Sequence, residues 1–111
     1  MQPEVLKYLY DIKISVASIF EYIGEKRDFK LYLSNKQLRR AVERELEIIG
    51  EACNNILKID PDIQISNSRK IVDFRNRVIH GYDTVDDALI WGIISRDLII
   101  LQEQVERFII E

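Results

Sequence analysis

The sequence predicts an all-α fold: an up-and-down four-helix bundle with one short additional helix, in a single domain over residues 1–111. Three observations lead to this prediction. The chain contains only four glycines and two prolines, 47% of its residues are hydrophobic, and apolar residues recur every three or four positions over long segments. A chain of 111 residues can bury one hydrophobic core but not two, so no further domain is expected.

The first predicted helix begins near Pro3, because proline is well tolerated in a first helical turn. Gly24 is a suitable helix end, and the charged residues 25–28 form a connecting turn. Between these limits the apolar residues alternate in steps of four and three, which places them on one face of the helix. They are Val5, Leu9, Ile12, Val16, Ile19 and Ile23.

A second long helix is predicted to begin at a capping box formed by Ser34 and Gln37, with an earlier start near Asp28 as the alternative. Its apolar stripe consists of Leu38, Val42, Leu46, Ile49, Cys53 and Ile56. Because Cys53 lies on this stripe, we interpret it as a small buried hydrophobic residue rather than a catalytic thiol. Pro61 ends the helix.

Two carboxylates of this second helix bear on function. Glu45 lies on the apolar stripe, which is unusual for a charged side chain. It is a candidate counter-charge for Arg75, while a dimer interface and the edge of the core are the alternatives. Glu51 falls on the polar side of the same helix.

A short helix over residues 69–79 follows a loop, with Ser66 or Ser68 as its cap. Its apolar arc consists of Ile71, Val72, Phe74, Val78 and Ile79. Arg75 falls within this arc, whereas Arg77 falls on the polar side and is interpreted as a solvated charge. Because an unpaired buried guanidinium costs several kcal/mol, Arg75 needs a carboxylate, a phosphate or a wet interface beside it.

The last helix is predicted to start at Thr84, with Asp86 and Asp87 complementing the helix dipole in its first turn. Its apolar residues cover more than one face: Ile90, Trp91, Ile93, Ile94, Leu98, Ile99, Ile100, Leu101, Val105 and Phe108. One bundle of this size is not expected to bury such a helix on all sides, so we predict a homodimer. The alternative is that the additional apolar faces are buried within one chain.

Several classes of protein are disfavoured by composition. Cys53 is the single cysteine and no signal peptide is evident, so a reducing cytoplasm is the expected compartment. The apolar stretch 88–101 is interrupted by Arg96 and Asp97, so no membrane span is predicted. The chain holds one histidine and no cluster of ligands at metal-binding spacing, no glycine-rich phosphate loop and no Ser–His–Asp set, so neither a metal nor a cofactor is expected.

The segment 74–82, FRNRVIHGY, contains the single histidine, His80. Residues 66–82 carry four basic side chains and one acidic side chain, a local positive charge that suits a phosphate. Arg75 and His80 would lie ~140° apart on an unbroken helix. They can therefore act together only if the helix loosens before residue 81 or if the pairing is made across two chains.

Arg75, Asn76, His80 and Tyr82 together match the RxxxxHxY signature, with a polar residue after the arginine, and resemble the HEPN superfamily and its HepT-like toxins. Residues 47–52, EIIGEA, are similar to a segment of the same family. The likeness covers essentially the whole chain. One departure is at residues 65–68, Ile-Ser-Asn-Ser, where many relatives carry a Pro-Trp pair.

The resemblance implies a metal-independent endoribonuclease that acts as the toxin of a toxin–antitoxin pair, with a cleft shared by two protomers. His80 would transfer protons, Arg75 would stabilise charge on the phosphate, and Asn76 would orient the phosphate or His80. It also implies that a partner nucleotidyltransferase of the MNT type attaches AMP to Tyr82. The alternative is a non-catalytic module that binds nucleotide or substrate beside such a partner, and a plain helical interaction protein would leave Arg75 unexplained.

Overall fold

The computed structural model describes residues 1–65, 71–73 and 87–110, and these ranges are helical apart from short connections. The helices are α1 (Pro3–Ile23), α2 (Phe29–Ser34), α3 (Lys36–Ile59), α4 (Asp87–Gly92), a π-helical turn (Ile93–Asp97) and α5 (Leu98–Ile110). Residues 71–73 are also helical. The predicted all-α class is confirmed.

Helix α1 buries the predicted apolar face. Val5, Leu9, Ile12, Val16 and Ile19 all lie in the core, and Ile23 is half-buried at the end of the helix. The predicted end at Gly24 is also confirmed. This glycine has φ 77°, which favours a residue without a side chain, and its N–H donates to the carbonyl oxygen of Phe20.

The predicted capping box at Ser34 and Gln37 is wrong. A separate short helix, α2, begins after Asp28, whose carboxylate accepts hydrogen bonds from the N–H groups of Lys30 and Leu31. Asn35 then caps α3 by accepting from the N–H of Leu38 at 3.0 Å. The Ser34 hydroxyl instead donates to the carbonyl of Leu31, so it closes α2 and does not open α3.

Helix α1 packs along both α3 and α5. The Tyr22 hydroxyl, near the end of α1, donates to Glu45 in the first half of α3. At the other end, Val5 lines a surface groove together with Asp60 and Phe108, which follow or end α3 and α5. Helix α1 therefore runs antiparallel to both α3 and α5.

Helix α3 buries its predicted stripe and ends where the sequence predicts. Val42, Leu46, Ile49, Cys53 and Ile56 are fully buried, and Leu38 is half-buried. The helix stops at Ile59, and the N–H of Asp60 closes its last turn on the carbonyl of Ile56, just before Pro61. Ile65 returns to the core at the end of the first described range.

The last helical segment buries most of its apolar side chains within one chain. Six of the ten predicted apolar residues are fully buried: Ile90, Ile93, Ile94, Leu98, Leu101 and Val105. Only Ile100 among the ten is classed as exposed, at 37%. A π-helical turn, closed by the N–H of Leu98 on the carbonyl of Ile93, lies within this buried segment. The alternative to a homodimer, burial within one chain, therefore accounts for most of the apolar side chains of this helix.

No helix in the described part of the chain combines the length and the apolar character needed to cross a bilayer.

Candidate functional site

The four predicted site residues, Arg75, Asn76, His80 and Tyr82, lie outside the described residues. The chain on either side of them is built into the core. Ile71 and Val72 are buried before this segment, and Ile90 is buried after it.

An aromatic cluster holds the start of the last helical segment against α2. The ring of Trp91 lies 5.4 Å, centroid to centroid, from the rings of both Phe29 and Tyr32. The rings of Phe29 and Tyr32 are stacked at 6.4 Å. Such contacts add about 0.5–1.5 kcal/mol beyond simple burial. Helix α4 therefore lies beside α2.

Two carboxylates approach the hydroxyl of Tyr32. This side chain is 1% exposed, and its hydroxyl oxygen is buried with no hydrogen-bond partner in the described part of the chain. Burial is the main reason that its pKa is raised, and the negative charges of Asp87 and Glu43 raise it further, while Arg39 opposes them. The start of α4 therefore adjoins an acidic corner formed by Asp87 and Glu43.

Glu43 is the carboxylate of α3 that the fold buries, at 8% exposure. It accepts a hydrogen bond from Arg40 at 3.3 Å. A nearly buried carboxylate of this kind can accept strong, charge-assisted hydrogen bonds from a guanidinium or an imidazolium. The sequence pattern did not single out Glu43, because its burial depends on contacts between helices that a local pattern does not contain.

Glu45, the predicted counter-charge of Arg75, is only half-buried and has a different partner within the described residues. Its Oε2 accepts from the Tyr22 hydroxyl at 3.0 Å. This hydrogen bond is the main cause of a raised pKa at Tyr22. A contact between Glu45 and Arg75 lies outside the described residues. Glu51 is exposed, as predicted from its place on the polar side of the helix.

A second buried carboxylate belongs to the π-helical turn. Asp97 is 3% exposed, and its Oδ1 lies 3.7 Å from Nε of Arg96, whose side chain remains largely in solvent. Turns of π type often occur at functional sites. In the sequence, this buried carboxylate is visible as a charged pair, Arg96–Asp97, inside an apolar stretch. The same pair argues against a membrane span.

The described residues offer little support for a reactive thiol or for a metal site. Cys53 is fully buried, and burial raises the pKa of its thiol to about 12, so it stays protonated near neutral pH. In the ranges 1–65, 71–73 and 87–110, no group of three or more His, Cys, Asp or Glu side chains is arranged to hold a metal ion.

Comparison with known proteins identifies the family. The family model described as "Ribonuclease HepT-like" matches residues 12–108, which is most of the chain. The chain belongs to the HepT-like ribonuclease family. The resemblance to HEPN proteins is thereby confirmed, and so is the predicted class, a ribonuclease.

Three similar proteins are also named as ribonucleases. A protein of Methanocaldococcus jannaschii named "Putative RNase MJ1380" is 34% identical over 107 residues, covering 93% of this chain and 94% of that protein. "Probable ribonuclease HepT" of Thermococcus cleftensis is 34% identical over 104 residues, covering 90% and 91%. "Putative RNase TTE0752" of Caldanaerobacter subterraneus is 32% identical over 85 residues, covering 73% of each chain. No solved structure matches the chain significantly.

Proposed function

We propose that this protein is a metal-independent endoribonuclease that acts as a homodimer of single-domain chains. One observation carries the proposal: a chain of the HepT-like ribonuclease family contains the complete signature formed by Arg75, Asn76, His80 and Tyr82. Ile71 and Val72 before this segment and Ile90 after it belong to the core.

The proposed reaction uses the 2′-hydroxyl of the RNA itself. The 2′-oxygen attacks the neighbouring phosphorus, the bond to the 5′-oxygen breaks, and a cyclic phosphate and a free 5′-hydroxyl result. Arg75 stabilises the negative charge that builds on the phosphate oxygens, and Asn76 orients the phosphate or His80. His80 transfers a proton, for which its unperturbed pKa of ~6.5 is well suited at neutral pH. None of these steps calls for a metal ion.

The reaction calls for two proton-transfer groups, which is the reason to propose a dimer. One group removes the proton from the 2′-hydroxyl and another gives a proton to the leaving 5′-oxygen. Each chain has a single histidine. A two-fold dimer places a second His80 in a shared cleft and so provides both groups. Specific activity per chain should therefore fall on dilution, in the concentration range where sedimentation shows the dimer dissociating.

We further propose that the enzyme is the toxin of a toxin–antitoxin pair in the cytoplasm. The partner is an MNT-type nucleotidyltransferase that transfers AMP from ATP to the hydroxyl of Tyr82, with release of pyrophosphate. The added phosphate is bulky and negatively charged, so it would compete with the RNA phosphate for Arg75. Because Tyr82 is two residues from His80, modification at this position would block the site directly.

The decisive experiment assays the purified protein alone on tRNA and mRNA with a chelator present. Wild type is expected to cleave, whereas Arg75→Ala and His80→Ala are expected to lose at least 100-fold in rate. Arg77→Ala is the matched control, because it removes the same charge from the predicted polar side of the same helix. Cleavage by His80→Ala at the wild-type rate would exclude the catalytic proposal. A wild-type protein that binds nucleotide or RNA without cleaving it would indicate the non-catalytic module instead.

Modification of Tyr82 is tested by intact-mass measurement after co-expression with the nucleotidyltransferase. Wild type should gain the mass of one or more AMP groups, and Tyr82→Phe should gain none. Tyr10→Phe, which alters an exposed tyrosine of α1, should be modified like wild type. Wild-type protein that keeps its unmodified mass would count against this mode of neutralisation.

A further inference from the structure

The charges of this acidic chain are unevenly distributed. Residues 26–44 contain seven basic and two acidic residues, whereas the other 92 residues contain nine basic and seventeen acidic ones. Residues 26–44 include all of α2 and the first part of α3. A protein with a net charge of −3 thus carries a locally basic surface on two adjacent helices.

Four side chains form what we term the basic surface: Lys30, Lys36, Arg40 and Arg44. All four are exposed, and the side chains of Arg40 and Arg44 are 68% and 69% exposed. Lys36, Arg40 and Arg44 follow one another at intervals of four, so they lie on one side of α3 at a rise of ~6 Å per step. Arg39 is not part of this set, because it is half-buried and its guanidinium donates to the carbonyl of Leu33.

The two arginines pair with carboxylates without losing their capacity to bind an anion. Nη1 of Arg40 lies 3.3 Å from Glu43, and Nη1 of Arg44 lies 3.2 Å from Glu47. In both pairs the carboxylate is the more buried partner, since the glutamate side chains are only 10% and 24% exposed. A guanidinium has five N–H donors, so one such contact orients the group and leaves donors that face solvent. The Arg44–Glu47 pair is exposed and contributes little to stability.

The basic surface adjoins the part of the fold that leads to the motif. Helix α2 contacts α4 through the rings of Phe29, Tyr32 and Trp91, and Asp87 acts electrostatically on Tyr32. Residue 87 is only five positions after Tyr82 in the chain. The basic surface therefore includes a residue, Lys30, of the helix that packs against the first described residues after the motif.

We propose that the basic surface binds the backbone phosphates of single-stranded RNA beyond the phosphate that is cleaved. This inference rests on the proposed ribonuclease function and adds the surface that retains the substrate. A row of exposed cations on a helix fits a polyanion with regularly spaced charges, and such contacts are independent of base sequence. The basic surface would thus contribute affinity for long RNA, while Arg75 and His80 act on one phosphate.

The test measures binding of a labelled single-stranded RNA of about 20 nucleotides between 50 and 200 mM salt, with His80→Ala as the background. The triple variant K36Q/R40Q/R44Q should weaken binding about 10-fold or more at low salt and reduce the salt slope by about 2, since each phosphate contact contributes ~0.7. The control K7Q/K13Q/K58Q removes the same charge from exposed positions elsewhere and should bind like the background. A double variant, K30Q/K36Q, disturbs neither arginine pair and should reduce the salt slope by about 1.4, two thirds of the effect of the triple variant.

In the cleaving protein, the triple variant should lower kcat/KM for long RNA about 10-fold relative to kcat/KM for a dinucleotide. Equal salt slopes for the triple variant, the double variant and the control would overturn the proposal. So would unchanged RNA binding together with weaker binding of the nucleotidyltransferase, because the basic surface would then be a protein contact. If the slopes change as expected but the wild-type protein cleaves no RNA, the ribonuclease function fails while the RNA-binding surface stands.

Discussion

Replacing Tyr32 with phenylalanine tests what it costs to bury the hydroxyl group of this side chain. The hydroxyl oxygen of Tyr32 is buried, and it has no hydrogen-bond partner in the described part of the chain. Burying such a group costs about 1–3 kcal/mol in mutational data. Phenylalanine keeps the ring that packs on Phe29 and Trp91, so the substitution removes this cost and leaves only a small void. We expect Tyr32→Phe to be more stable than wild type by about 1 kcal/mol, or about 4 °C in melting temperature.

The stability advantage of Tyr32→Phe is expected to depend on pH. Burial, Asp87 and Glu43 raise the pKa of Tyr32 in the folded state, so wild type has its full stability below the unfolded pKa of ~10 and loses it as the pH rises further. Phenylalanine does not ionise, so the stability advantage of Tyr32→Phe should grow above pH 10.

The assay is urea unfolding followed by circular dichroism at pH 7 and at pH 10.5. Tyr10→Phe is the control, because Tyr10 is exposed and its hydroxyl can be solvated. A Tyr32→Phe protein that is less stable than wild type by 1 kcal/mol or more at pH 7 would refute the reasoning. The hydroxyl would then have a partner, in bound water or in residues 74–86.

Three further predictions use the same unfolding assay or a thiol probe. Asn35→Ala should lose about 1 kcal/mol, because it removes the α3 cap, while Ser34→Ala should change stability by less than about 0.5 kcal/mol; equal losses would contradict the assignment. Leu9→Ala should lose about 2–5 kcal/mol, and Ile14→Ala, on the exposed side of α1, should lose far less. Cys53 should react with a disulfide reagent at pH 8 at least about 100-fold more slowly in native than in urea-unfolded protein, because the buried thiol has a pKa of about 12.

The parts of the fold that were predicted correctly depend on local geometry. A pattern of apolar residues at steps of three and four specifies one helical face, so the cores of α1 and α3 could be named in advance. Gly24 and Pro61 act through their own backbone constraints, and both helices end where these residues predict.

The boundary between α2 and α3 could not be predicted in the same way. Ser34 and Asn35 are both good capping residues, and either could have started a helix. The choice depends on whether α2 forms, and α2 is held in place by Trp91, which is distant in sequence from Tyr32. A local pattern contains no information on that contact, and for the same reason it did not indicate the burial of Glu43.

For the candidate site, the sequence predicts which residues take part in the reaction, and the structure describes the helices around them. The spacing of Arg75 and His80 alone is compatible with a helix-terminal histidine, and the family signature is what points to catalysis. The membership in the HepT-like family supports that interpretation, while the roles of the individual residues stay predictions. The charge excess in residues 26–44 is visible in the sequence, but only the fold shows which of its side chains are exposed.

The structure changes the reason to expect a homodimer. The sequence suggested a dimer because the last helix has apolar residues on all sides, yet one chain already buries most of them. Bulk hydrophobicity is therefore a weak reason for association. The stronger reason is chemical, since acid and base catalysis of RNA cleavage needs two proton-transfer groups and each chain supplies one imidazole. A dimer that exists for this purpose has to bring two His80 residues to one phosphate.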